Sequence, residues 1–130
     1  MLDIQNIVHS RIKNKYPLAL KTKYPNTFFT TDNRILDNPN FPTVYTHLLS
    51  TQERGNDLEN LTINAVLATV QVEVYDNESQ DSANEVMNYV VDTMKSMAFS
   101  IIQMPENMNT SSTYRMVARF RRMIGSSDTL

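Results

Sequence analysis

Apolar positions recur along the chain in two distinct periods, and the places where the period changes divide it into elements. Leu2, Ile4, Ile7, Val8 and Ile12 fall at near-helical spacing, which predicts an amphipathic helix over 2–15 that Pro17 brings to an end. A break containing Lys21 and Lys23 follows, then a turn at Pro25-Asn26. Residues 27–31 are β-branched and aromatic and read as a short strand, and 43–50 (TVYTHLLS) as another. The Asn-, Asp- and Pro-rich stretch 32–42 and the polar stretch 51–60 both read as loops.

The clearest strand spans 61–75. Val66, Ala68, Val70, Val72 and Val74 share one face at period two, while Leu67, Thr69, Gln71, Glu73 and Tyr75 share the other. An apolar face backed by a mixed one is the pattern of an antiparallel sheet covered on one side. A polar turn at 76–81 leads into a second amphipathic helix over 83–97, with Val86, Met87, Val90, Val91, Met94 and Met97 inward and Asn84, Asn88, Asp92 and Lys95 outward. Its N-cap is read as Asp81 or Ser82, since Ser82 and Glu85 have capping-box spacing. Residues 99–104 form a short strand stopped by Pro105, and 106–112 a turn. The last strand runs over 113–124, with Tyr114, Met116, Ala118 and Phe120 on one face and Arg115, Val117, Arg119 and Arg121 on the other.

This order predicts an α+β fold: a mostly antiparallel β-sheet with the N-terminal helix and the second amphipathic helix packed on one face. At 130 residues, 41% hydrophobic and 20% charged, the chain fits one domain over 1–130, with 125–130 a flexible tail. An uncovered sheet face or edge is a liability in a monomer and a contact surface in an assembly.

Composition removes most kinds of chemistry. Without cysteine there are no disulfides, thiolate metal sites or thiol nucleophiles. Gly55 and Gly125 are the only glycines, too few for a phosphate-cradling loop or a dinucleotide fingerprint, and no serine has the flanking glycines of a nucleophile elbow. The net charge of -2 provides no global field for nucleic acid. Early Asp3 and the absence of a long unbroken apolar run lead us to expect neither a secretion signal nor a membrane span. His9 and His47, on a helix and a strand, have no carboxylate or second histidine at ligand spacing and read as ordinary surface or interface residues. Asp76, Glu78 and Asp81 lack the turn glycine of a calcium loop and read as a solvated helix start. No catalytic, cofactor or metal site is expected.

The arginines of the last strand carry more information. Arg115, Arg119 and Arg121 share a face, with Arg122 beside them. They form either a basic stripe for DNA or an acidic partner, or a cross-strand ladder with Gln71 and Glu73 of the long strand. No aromatic interleaves with them, which disfavours base stacking. Of the eight methionines, Met87, Met94, Met97 and Met116 sit at core positions, whereas Met104, Met108 and Met123 could line an adaptable interface.

The run VQVEVYDN (70–77), the helix 83–97, MAFSIIQMPEN (97–107) and TYRMVARFRR (113–122), with FPTVY (41–45) opening an earlier strand, resembles the small tail terminator and tail completion proteins of long-tailed bacteriophages. The resemblance implies an architectural protein, not an enzyme and without cofactor. Such proteins form a ring, usually hexameric, on the end of the tail tube, where it stops tube polymerisation and presents a surface for head joining. The implied partners are further copies of the chain, the tail tube protein and head-completion or connector proteins, with genomic DNA passing through the lumen without specific binding. The implied location is the neck of the virion, with the host cytoplasm during assembly and no membrane. Glu73, Arg115, Arg119 and Arg121 are the expected contact residues. The competing expectations are a different neck component, such as a head-completion or connector protein, and a nucleic-acid-binding module using the strand Arg115–Arg122.

Overall fold

The computed structural model describes residues 3–25, 27–31, 42–56, 63–77, 79–109 and 113–125. Within them lie helices α1 (Ile4–Asn14), α2 (Leu18–Lys23) and α3 (Gln80–Ser96) and strands β1 (Phe28–Thr30), β2 (Thr43–Asn56), β3 (Ile63–Asp76), β4 (Ser100–Asn107) and β5 (Tyr114–Gly125). The strands form one sheet in the order β1-β2-β3-β5-β4, parallel only between β1 and β2. β5 lies between β3 and β4, so the helical connection α3 joins two strands that run the same way with a third inserted between them.

The predicted α+β architecture is the observed one. Val70, Val72 and Val74 are fully buried against α3 and α1, which contribute Val86, Met87, Val90 and Met94, and Ile4, Val8 and Ile12. Met116, Ala118 and Phe120 of β5 complete this layer. The inward spacing of α1, one residue every four, places all three of its buried side chains on one stripe.

Two helix ends are tied to distant elements. Tyr89 of α3 donates its hydroxyl to the carbonyl of Ile12 at 2.6 Å, satisfying an acceptor in the last turn of α1. Gln5 of α1 accepts from the backbone N–H of Leu48 at 2.8 Å, where a bulge shifts the β2–β3 register between Leu48 and Ser50.

Several predicted boundaries are corrected. The break after Pro17 contains α2, because a proline that stops one helix also suits the entry to the next, and here it is the N-cap. β2 continues through the polar 51–56, paired throughout with β3. The cap of α3 is Ser79, whose Oγ accepts from the N–H of Ser82 at 3.1 Å. Glu85 makes no capping box: it accepts from Lys23 Nζ at 2.8 Å and Tyr24 Oη at 2.7 Å and straps α2 to α3. Pro105 lies inside β4 rather than ending it. β4 is an edge strand with irregular register to β5 on either side of Gln103, and an edge tolerates the missing N–H. Most of the loop predicted at 32–42 and the tail predicted at 125–130 lie outside the described residues.

α3 ends in a Schellman motif: the N–H of Phe99 reaches the carbonyl of Met94 at 3.0 Å and that of Ala98 reaches Lys95 at 2.9 Å. The left-handed residue this requires is Ala98, at φ 64°, where glycine is the usual choice. Relief of the Cβ clash is worth about 1–2 kcal/mol and the extra freedom of the unfolded chain costs back about 0.5–1 kcal/mol. Ala98→Gly should therefore stabilise the protein by about 0.5–1 kcal/mol in urea unfolding; a loss of stability would mean the turn is not strained.

Candidate functional site

The face of the sheet away from the core is where the singled-out polar residues meet. Cross-strand pairing sets Tyr45 opposite Glu73 and His47 opposite Gln71 on one side of β3, and Arg115 opposite Tyr75, Val117 opposite Glu73, Arg119 opposite Gln71 and Arg121 opposite Thr69 on the other. Directly paired residues point to the same side of a sheet, so these form one surface. Among the described residues no helix packs on it.

Glu73 is at the centre and only 3% exposed. Its Oε1 accepts from Arg115 Nε at 2.7 Å, from Arg115 Nη2 and from Tyr75 Oη at 2.9 Å. Its Oε2 accepts from Gln71 Nε2 at 3.1 Å. Gln71 in turn accepts from Arg119 Nε at 2.8 Å, so the network runs from Arg119 through Gln71 to Glu73 and Arg115. The Tyr75 ring also lies under the Arg115 guanidinium, 5.7 Å from its centroid.

The predicted cross-strand ladder is thus present, but its two rungs differ. Arg115 neutralises a buried carboxylate diagonally across the sheet, whereas Arg119 reaches only a neutral amide. Arg121, exposed and without an ion-pair partner among the described residues, makes no rung. Arg122 points to the other side, where Nη1 donates to the carbonyl of Met97 at 2.9 Å near the end of α3. The stripe therefore offers two cations without an ion-pair partner among the described residues, Arg119 and Arg121, beside a compensated pair.

The electrostatics of Glu73 follow from this crowding. Burial pushes its carboxyl up, but the Arg115 and Tyr75 hydrogen bonds, the Arg115 charge and the Gln71 hydrogen bond together outweigh burial and hold it below the ordinary carboxylate value. Tyr75 is pushed up to about 12, first by burial and then by the charge of Glu73 and the hydrogen bond to it. A carboxylate kept ionised, with both oxygens occupied by donors, has little capacity to take a proton from a substrate; its chemistry is that of an anchor for the arginine.

His47 was expected to have no carboxylate nearby, and the fold supplies one: Nε2 lies 3.3 Å from Glu73 Oε2, outside hydrogen-bond geometry, while its ring stacks on Tyr45 at 4.6 Å. No sequence spacing foretells this, because it depends on the register of β2 against β3. His9 stays on α1, half-buried, its pKa lowered by burial and then by Lys13. Asp76 is buried at the end of β3 rather than solvated, and Asp81 is exposed in the first turn of α3; Glu78 lies outside the described residues. Among the described residues no cluster of three metal-ligating side chains occurs, and no helix is long and apolar enough to cross a membrane.

Met87, Met94, Met97 and Met116 are buried as expected, and Met104, Met108 and Met123 are exposed. Met123 continues the open face two residues beyond Arg121 on β5, opposite Leu67. Compared with known proteins, the chain matches no protein-family model and no curated sequence.

Proposed function

We propose that this protein is an architectural component of a bacteriophage tail, a terminator that closes into a ring on the end of the tail tube and carries the head-joining surface. The observation that carries the reading is the two-sided sheet: one face is filled by α1 and α3, while the other, on which no helix packs among the described residues, holds Arg115 on buried Glu73 and leaves Arg119 and Arg121 exposed beside them. Exposed Met123 on the same face adds an adaptable apolar contact.

A ring needs a heterologous contact, in which one face of a subunit meets a different face of the next. Arg119 and Arg121 suit the first role. The outward side of α3, where Asp81 and Asp92 are exposed and Lys95 stands at the C-terminal end, offers two acids for the second. The resemblance in 70–77, 83–97, 97–107 and 113–122 supports the same reading, since those segments build β3, α3, β4 and β5. In this role the protein needs no catalytic group and no cofactor.

The test is polymerisation of tail tube protein with and without this chain, followed by electron microscopy. The proposal expects tubes of limited length with added density at one end. Tubes that lengthen unchecked, with bare ends, would overturn it.

A further inference from the structure

The end of α1 and the whole of α2 form a corner unlike the rest of the molecule. Between 11 and 23 the chain carries Arg11, Lys13, Lys15, Lys21 and Lys23 and no acid, although its net charge is -2. Lys23 is engaged by Glu85. Lys13, Lys15 and Lys21 are exposed, and among the described residues none has an ion-pair partner.

Two hollows flank this corner. One, of about 450 Å³, has Lys13 of α1 and Lys21 of α2 in its lining, together with the rings of Tyr16 and Phe29 and the ring of Pro25. Tyr16 and Phe29 meet edge to face at 5.1 Å, and the Tyr16 hydroxyl is paired with Thr27 Oγ1 at 3.1 Å, so the aromatic lining is held in place. The second hollow, of about 420 Å³, is lined by Ile7, Arg11 and Lys15, and the two share Asn14. Leu18 is 77% exposed and stands one turn before Lys21 on the same side of α2.

We propose that this corner is a docking site for an acidic protein segment carrying apolar side chains. Its carboxylates meet Lys13, Lys15 and Lys21, and an apolar side chain enters the hollow beside Tyr16 and Phe29, with Leu18 packing alongside. One feature selects a protein over nucleic acid: a phosphate backbone has no counterpart for the apolar lining of the hollow at Tyr16 and Phe29 or for exposed Leu18. The site is separate from the open sheet face, and the inference does not depend on the ring.

The probes are a fluorescent peptide of about ten residues with glutamates around two leucines, the same peptide with serine for leucine, and a duplex of about 20 base pairs, read by anisotropy at about 50 and 200 mM salt. The leucine peptide should bind tightest. The Lys13→Glu, Lys15→Glu, Lys21→Glu variant should weaken it by at least about tenfold, and Leu18→Ala should bring it down to the serine peptide. All four side chains are exposed, and thermal melting confirms folding; a triple Lys→Gln variant, expected to lose less, guards against failure of the reversed one. Binding unchanged by the lysine substitutions, no binding of the leucine peptide, or a duplex that binds as tightly as the peptide would each overturn the proposal. Tube capping unaffected by these variants leaves the terminator reading standing, so the two can fail separately.

Discussion

Replacing Arg115 with alanine should destabilise the protein by about 3 kcal/mol at neutral pH, and the loss should shrink in acid. The Glu73 carboxylate is buried under the side chains that bond it, and Arg115 supplies two of its donors and its compensating charge. Without Arg115 the carboxylate keeps Gln71 and Tyr75 but not the cation, and burial then dominates. In the native protein the folded pKa of Glu73 is depressed. Its contribution is therefore present above the unfolded value of about 4.3 and is lost as the pH falls through the lower folded value. In the variant the folded pKa is raised, so the sign reverses: the penalty is absent below about pH 4.3 and grows as pH rises through the raised value. Urea unfolding at pH 7 and near pH 4.5 separates the two curves. Arg115→Lys, which restores the charge but not the paired donors, should fall between them. A loss of equal size at both pH values would mean that Arg115 acts through packing alone.

The second large effect concerns assembly rather than folding. Arg119→Glu combined with Arg121→Glu should abolish ring formation; the Arg121 change should cost less than about 0.5 kcal/mol, since that side chain is exposed, and the Arg119 change about 1–3 kcal/mol, since it removes the donor to buried Gln71, so thermal melting of the variant checks that it is folded. On the proposed ring these two cations would face an acidic surface of the next subunit. Charge reversal makes that neighbour repulsive. Light scattering of the variant should give the monomer mass under conditions where the native protein assembles. Assembly of the variant at native concentrations would remove both residues from the contact.

What could be read in the sequence follows from how far apart the interacting residues are. The alternation in β3 and the inward spacing of α3 are local patterns, and both reappear with the predicted faces: Val70, Val72 and Val74 inward, Gln71 and Glu73 outward. The arginine ladder was legible for the same reason, since period two on one long strand and on the last strand restricts which residues can meet. Glu85 shows the opposite case. Its spacing from Ser82 suggested a local cap, but its hydrogen bonds go to Lys23 and Tyr24, more than sixty residues away in the chain. Residues 51–56 look like a loop in isolation, and pairing with β3 makes them strand. Pro105 reads as a strand stop unless the strand is known to be an edge. At the site itself, the approach of His47 to Glu73 depends on strand order and register, which no short-range pattern encodes.

On the proposed function, the sheet face away from the helices is the assembly surface through which copies close into a ring. The most direct measurement is the mass of the native protein by light scattering across a range of concentrations, alone and after addition of tail tube protein. A closed oligomer, hexameric by the family resemblance, is expected either free in solution or on the tubes. A monomer that persists at every concentration and ignores the tubes would contradict it.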